Sequence, residues 1–204
     1  MRVNKGLMIA ATFDPTKRTS LITVADMCRK IEENSISLPL YQRDISWTLQ
    51  KCIDLLNYQL WGKAPVSPIS INVINTVDSA VPQVSFIDRE IISTIERGQY
   101  SVVDGQQRLT TNYKAYCNHD DFRNIVLDLG KGEFTEVRDS IRSNQIPVGI
   151  LLNKEDTKLF EYTKAKSALG SADVLSVLLQ VRSKMRNYNY TLNSAEDLTE
   201  DEQI

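Results

Sequence analysis

The sequence predicts an α/β fold, a small mixed sheet flanked by helices, from three observations. Ile69, Ile71 and Val73 alternate with polar residues at the period of a strand, whereas Val24, Met27, Cys28 and Ile31 recur at the spacing of an amphipathic helix. Third, the strand formers Tyr100, Val102 and Val103 run through Asp104-Gly105 straight into a helical pattern, Leu109, Tyr113, Tyr116 and Cys117. At 204 residues the chain can fill one substantial core, or one domain with a small helical appendage.

Residues 1 to 20 read as a loosely held arm, with an apolar run too short for a signal peptide and its cleavage site. A helix begins after Thr23, with Asp26 placed to favour its amino end. The stretch from Ile36 to Leu40 is a strand, and Pro39, lacking an N–H, puts it at a sheet edge or ends it there. Tyr41, Gln42 and Arg43 then project from a loop. Trp47 plugs the start of a helix from about Thr48 to Trp61, whose apolar face is Leu49, Cys52, Ile53, Leu56 and Leu60 and whose stop is Gly62. Pro65 and Pro68 mark the connection to the strand at Ile69. From Asn75 to Gly98 a strand over Val84–Ile87 and a helical turn over Glu90–Arg97 are expected, as an excursion without assigned function. A hairpin is read around Gly130-Lys131-Gly132, a polar helix over 156–168 and a stronger one over 173–185, before a brief alternation at Tyr188, Tyr190 and Leu192. The expected division is a domain over 21–150, a helical carboxyl-terminal part over 151–195 and an acidic tail over 196–204.

Composition narrows the function classes. With 42% hydrophobic and 25% charged residues the chain has the make-up of an ordinary globular protein, and no run approaches a membrane span. The net charge of −2 conceals an acidic end, Glu196, Asp197, Glu200, Asp201 and Glu202, behind a mildly basic body. That balance permits nucleic-acid contact without a dense basic stripe to argue for it. Cys28, Cys52 and Cys117 lack metal or redox spacing, which fits a reducing cytoplasm. The single histidine, His119, neighbours Asp120 and Asp121; a loop histidine at a helix carboxyl end is ordinarily solvated, and no metal site is assigned there.

The chemistry concentrates at Asp104-Gly-Gln-Gln-Arg108. A strand turning sharply into a helix aims unpaired backbone N–H groups and a positive helix end at one point, which suits an anion. Arg108, in the first turn, has a planar fork that matches phosphate oxygens, and Asp104, Gln106 and Gln107 can hold a metal, a water or a base edge. The same residues would also serve as an ordinary turn and helix start. Taken with Pro39, Tyr41, Gln42, Arg43 and Trp47, this signature and the trailing Leu109, Thr110 and Thr111 resemble the amino-terminal domain of the GmrSD-type restriction endonucleases. Asn124 to Phe134 and Gln145 to Val148 look like the hairpin of that family and the segment after it.

The resemblance implies a ParB/sulfiredoxin-like fold and a nucleoside-triphosphate-dependent module, with Mg2+ as a companion ion, in bacterial defence against foreign, often modified, DNA. It implies nucleotide contacts from Tyr41, Gln42, Arg43, Gly105, Gln106, Arg108 and Thr110, and catalytic roles for Asp104, Gln107 and Arg108. Tyr41 is left open between stacking on a base and capping the core. The longer family members carry a His-Asn-His nuclease in a later domain, for which this chain lacks the histidines, so a partner nuclease subunit or a further carboxyl-terminal domain is expected, and self-assembly stays open. No Walker-type loop with its lysine is present, so an enzyme that hydrolyses the nucleotide and a binding module that only holds nucleotide or DNA phosphate both stand.

Overall fold

Alternating and continuous apolar runs bury a face only by pairing, and here they pair into two sheets. The computed structural model describes residues 3–12, 18–42, 47–63 and 68–203. In chain order the elements are α1 (Lys5–Thr12), β1 (Thr19–Thr23), α2 (Val24–Glu32), β2 (Ile36–Pro39), α3 (Leu49–Trp61), β3 (Ile69–Ile74), β4 (Gln83–Val84), β5 (Gln99–Asp104), α4 (Gln106–Tyr116), β6 (Ile125–Asp128), β7 (Glu133–Glu136), β8 (Gln145–Pro147), α5 (Val148–Leu151), α6 (Thr157–Ala165), α7 (Ala172–Arg186), β9 (Asn189–Glu196) and α8 (Glu200–Gln203). The larger sheet has the order β1-β9-β3-β5-β2-β4 and mixes parallel and antiparallel pairs; the smaller, β7-β6-β8, is antiparallel. The protein is therefore the mixed α/β fold the sequence predicts.

Local chemistry fixes the helix ends. Thr23 Oγ1 accepts the Asp26 N–H at 3.1 Å and donates to Asp26 Oδ2 at 2.8 Å, so one side chain caps α2 and orients the carboxylate at its positive end. Thr48 and Ser171 cap α3 and α7 in the same way, and Gly62, at φ 60, stops α3. Two apolar clusters result. One joins α2 and the larger sheet through Met27, Leu38, Ile69, Val102 and Tyr190; the other joins α3, the smaller sheet and α5 to α7 through Leu56, Phe134, Ile146, Leu159 and Leu178. Helix α4 belongs to both, giving Leu109 and Tyr116 to the first and Ala115 to the second. No helix among the described residues is long and apolar enough to cross a membrane.

Several expectations are corrected. The arm ends sooner than residue 20, because Thr19–Thr23 pairs with β9. Strand β2 does end at Pro39, but it lies between β5 and β4 rather than at the edge. No helical turn forms over 90–97: Ile91 bridges Val84 and the Ile92 N–H reaches Gln83 O at 2.9 Å, so this segment folds back as extended chain. The part read as a helical extension closes with β9, inside the larger sheet between β1 and β3. Nor is the acidic end only a solvated tail. Asp197 accepts the N–H groups of Asn75 and Thr76 at 2.7 and 2.8 Å, and Gln203 on α8 is buried.

The hairpin of β6 and β7 is organised by a buried carboxylate. Asp128 Oδ1 accepts from the N–H groups of Gly130 and Lys131 and from Asn144 Nδ2, while Oδ2 accepts from Gln145 Nε2 at 2.7 Å. The hydrogen bond from Gln145 above all, then the two backbone donors, holds its pKa below the ordinary carboxyl range. Because the folded value is depressed, the stability Asp128 confers is fully present above the unfolded value of about 3.9 and is lost as pH falls through the lower folded value. In Asp128→Asn an amide nitrogen must face donors, and the cost is expected to be about 2–3 kcal/mol at neutral pH, read from the urea midpoint. The variant should also lose part of the acid-induced fall of that midpoint below about pH 4; an unchanged acid limb would deny Asp128 this role.

Candidate nucleotide site at the strand-to-helix junction

Strand β5 ends at Asp104 and α4 starts at Gln106, leaving one residue to turn the chain. Gly105 does so at φ 101, outside the range side chains favour. A Cβ there would stand 2.4 Å from Ile69 Cδ1 and 3.1 Å from Arg108 Nη2, so the bare backbone makes room for the core and for the returning guanidinium. Arg108 folds back over it, with Nη2 at 3.2 Å from Pro68 O and 3.3 Å from Asp104 Oδ2. The arginine side chain is 12% exposed and the aspartate 73%, so a largely sheltered cation meets solvent at an exposed carboxylate. Gly105 O accepts from the N–H groups of both Arg108 and Leu109. The N–H groups of Gln106 and Gln107 take no partner among the described residues, and with the helix dipole they make this end suited to a negative group.

The two motifs meet through Gln42. Its Nε2 donates to Val103 O at 3.0 Å, one residue before Asp104, and its Oε1 is buried without a hydrogen-bond partner. Arg43, the other guanidinium expected here, lies outside the described residues. Tyr41 is turned another way, donating its hydroxyl to Gln203 Oε1 at 3.1 Å, and burial, then Glu200, pushes its pKa up. Gln107 accepts the Trp47 N–H at 2.9 Å, tying the start of α3 to α4, while Trp47 packs on the second cluster as a plug. Thr110 Oγ1 is buried without a partner. Gln106 is half-buried in the first turn. Thus Gln42, Asp104, Gly105, Gln106 and Arg108 gather at the junction, whereas the polar ends of Tyr41 and Gln107 serve contacts within the fold.

A polar layer backs α4. Asn112 Nδ2 and Gln59 Nε2 both donate to the buried Tyr190 hydroxyl, at 3.0 and 2.7 Å, and Asn112 Nδ2 also donates to Arg108 O. This layer pins the helix that carries the signature, and only Tyr190 of it has a recognisable place in the sequence pattern. A second omission is Arg89, whose Nη2 donates to Gln42 O at 2.5 Å. It stands in a charged triplet, Asp88-Arg89-Glu90, which gives the sequence no signal that singles it out. A cleft of about 500 Å3 lies away from the signature, lined by Lys30, Glu33, Glu90 and Arg97 among others. His119 Nδ1 accepts the Asp121 N–H at 3.2 Å and caps a short turn, and no group of three or more metal-ligating side chains occurs among the described residues.

A mixed α/β scaffold with a glycine-turned strand-to-helix junction defines a class of small domains that present an anion-suited helix end. The family of the GmrSD restriction endonuclease N-terminal domain matches residues 24–203, and the chain belongs to it. The match starts at α2 and runs through α8, so the sheet-closing β9 and the acidic end fall within the family's span. Among curated proteins, nothing matches the chain.

Proposed function

We propose that this chain is the nucleoside-triphosphate-binding and hydrolysing module of a bacterial DNA restriction or phage-defence system, regulating DNA engagement or a partner nuclease. The family's description as a restriction endonuclease domain supports that setting. One observation carries the nucleotide assignment: the Gln106 and Gln107 N–H groups, without a partner among the described residues, and the Arg108 guanidinium share one glycine turn, to which Gln42 joins the other motif. A phosphate arriving there replaces Asp104 as the partner of Arg108, and the exposed carboxylate swings aside to position a water. Asp104 is also the carboxylate that would share a Mg2+ ion with the phosphates, which neutralises their charge when bound. The ParB/sulfiredoxin-like ancestry and the contacts of Tyr41, Arg43 and Thr110 belong to the same proposal.

The test is phosphate release from GTP, CTP, UTP and ATP by the purified chain. Arg108→Ala is expected to lower turnover by about 100–1000-fold, the loss typical of one preorganised charge-stabilising donor. Asp104→Ala should abolish turnover while leaving nucleotide affinity within a few-fold or better, since it removes the competing partner of Arg108. A second reading, a non-catalytic module that holds nucleotide or DNA phosphate, draws on the Asp104–Arg108 pair, which occupies the one carboxylate of the signature. Nucleotide affinity without turnover would select it. Unchanged turnover in both variants would discard the site.

A further inference from the structure

Two local costs converge on Arg89. Its backbone sits at φ 57, in the left-handed region, and its Nη1 is buried without a hydrogen-bond partner among the described residues. Such costs persist where the surroundings over-determine a geometry, and they cluster at functional sites. The surroundings are visible. Ser85 and Glu90 close the excursion on each other, through Ser85 N–H to Glu90 O at 2.9 Å and Glu90 N–H to Ser85 Oγ at 3.1 Å, while Phe86 anchors it in the first cluster. From that platform Arg89 Nη2 reaches the carbonyls of Gln42 at 2.5 Å and Leu40 at 3.4 Å. Gln42 in turn donates to Val103 O. Two successive hydrogen bonds therefore run from Arg89 to the residue before Asp104.

We propose that Arg89 is a positioning residue of the proposed nucleotide site: its guanidinium clamps the Leu40–Gln42 turn onto the end of β5, holding Gln42 at the signature junction. This inference rests on the nucleotide reading above. Both carbonyls are met by a single nitrogen, Nη2, at the full reach of an arginine, so a shorter lysine restores the contact only in part. The excursion between β4 and β5 thereby acquires a role, as the mount for a clamp on the loop that precedes Arg43.

The experiment compares the wild type with Arg89→Ala, Arg89→Lys and Arg108→Ala by GTP and ATP affinity, melting temperature and amide hydrogen exchange. Arg89→Ala should weaken nucleotide binding by about 10-fold or more, the effect of losing a charge-assisted hydrogen bond. It should also speed exchange at the Leu40 and Gln42 amides, which donate to Pro82 O and Pro39 O, but not at Leu109 in α4. Arg89→Lys should recover part of both effects, and it decides by the same readouts if the alanine variant does not fold. A fall in melting temperature with unchanged affinity makes Arg89 merely structural and overturns the proposal, as does unchanged exchange at Leu40 and Gln42. If Arg108→Ala loses nucleotide and Arg89→Ala keeps it, this inference alone fails. If Arg108→Ala keeps nucleotide too, the underlying reading has failed.

Discussion

Gly105→Ala is expected to destabilise the protein by about 2–6 kcal/mol, combining the cost of a disfavoured φ with that of overpacking a filled core. The added methyl would meet Ile69 Cδ1 at 2.4 Å, and Ile69 is fully buried, so it has nowhere to retreat. The methyl would also crowd Arg108 Nη2, so nucleotide binding should fall even in the fraction that folds. Gly98→Ala supplies the control. Gly98 has a similar positive φ, 89, but open space where its Cβ would lie, so it reports the backbone cost alone. Urea midpoints of the two variants separate strain from collision. Equal midpoints would mean that the contact with Ile69 does not constrain the junction.

Arg182→Ala is expected to cost about 3–5 kcal/mol, the range for removing one partner of a buried charged network. Its guanidinium donates at 2.6 Å to Leu151 O, Asn153 O and Asp156 Oδ1, and the side chain is 7% exposed. Removal takes the guanidinium from Leu151 O at the end of α5, leaves Asn153 O only its longer contact with Arg186 Nη1 at 3.3 Å, and empties space on the inner face of α7. Asp156 is different: its side chain is 78% exposed and keeps water when the arginine goes. Asp156→Ala leaves the buried guanidinium on its carbonyl partners alone and should cost about 1–2 kcal/mol, less than loss of the arginine itself. Comparable losses in the two variants would show that the ion pair, not the carbonyl contacts, holds this corner.

The helices were legible because their information is local. Val24, Met27, Cys28 and Ile31 mark α2, and Leu178 and Met185 mark the inner face of α7, at spacings any helix imposes. Strands with no apolar pattern of their own were not legible. Thr19–Thr23 carries no strong alternation and exists because Thr19 meets Asn193 across the sheet. Ile91, Ile92 and Ile95 imitate a helical face, but the bond from Ile92 to Gln83 and the left-handed Arg89 turn them into a fold-back. At the junction, the residue types of the signature pointed to the turn and helix start, which the backbone bears out. Their partners could not be read, since Gln107 is claimed by Trp47 and Tyr41 by Gln203, each far away in sequence. Arg43 lies outside the described residues.

The placement of β9 has a consequence for synthesis. Strand β1 pairs only with β9, and β3 meets β5 on its other side, so the first strand made can join the sheet only through the last. A ribosome must release residue 196 before residues 19–23 acquire their neighbour, and until then Ile22 and the inner face of β3 wait uncovered. Termination anywhere before Asn189 would thus leave β1 without a neighbour and the β9-facing edge of β3 open, a nascent product for chaperones or proteases rather than a smaller working domain.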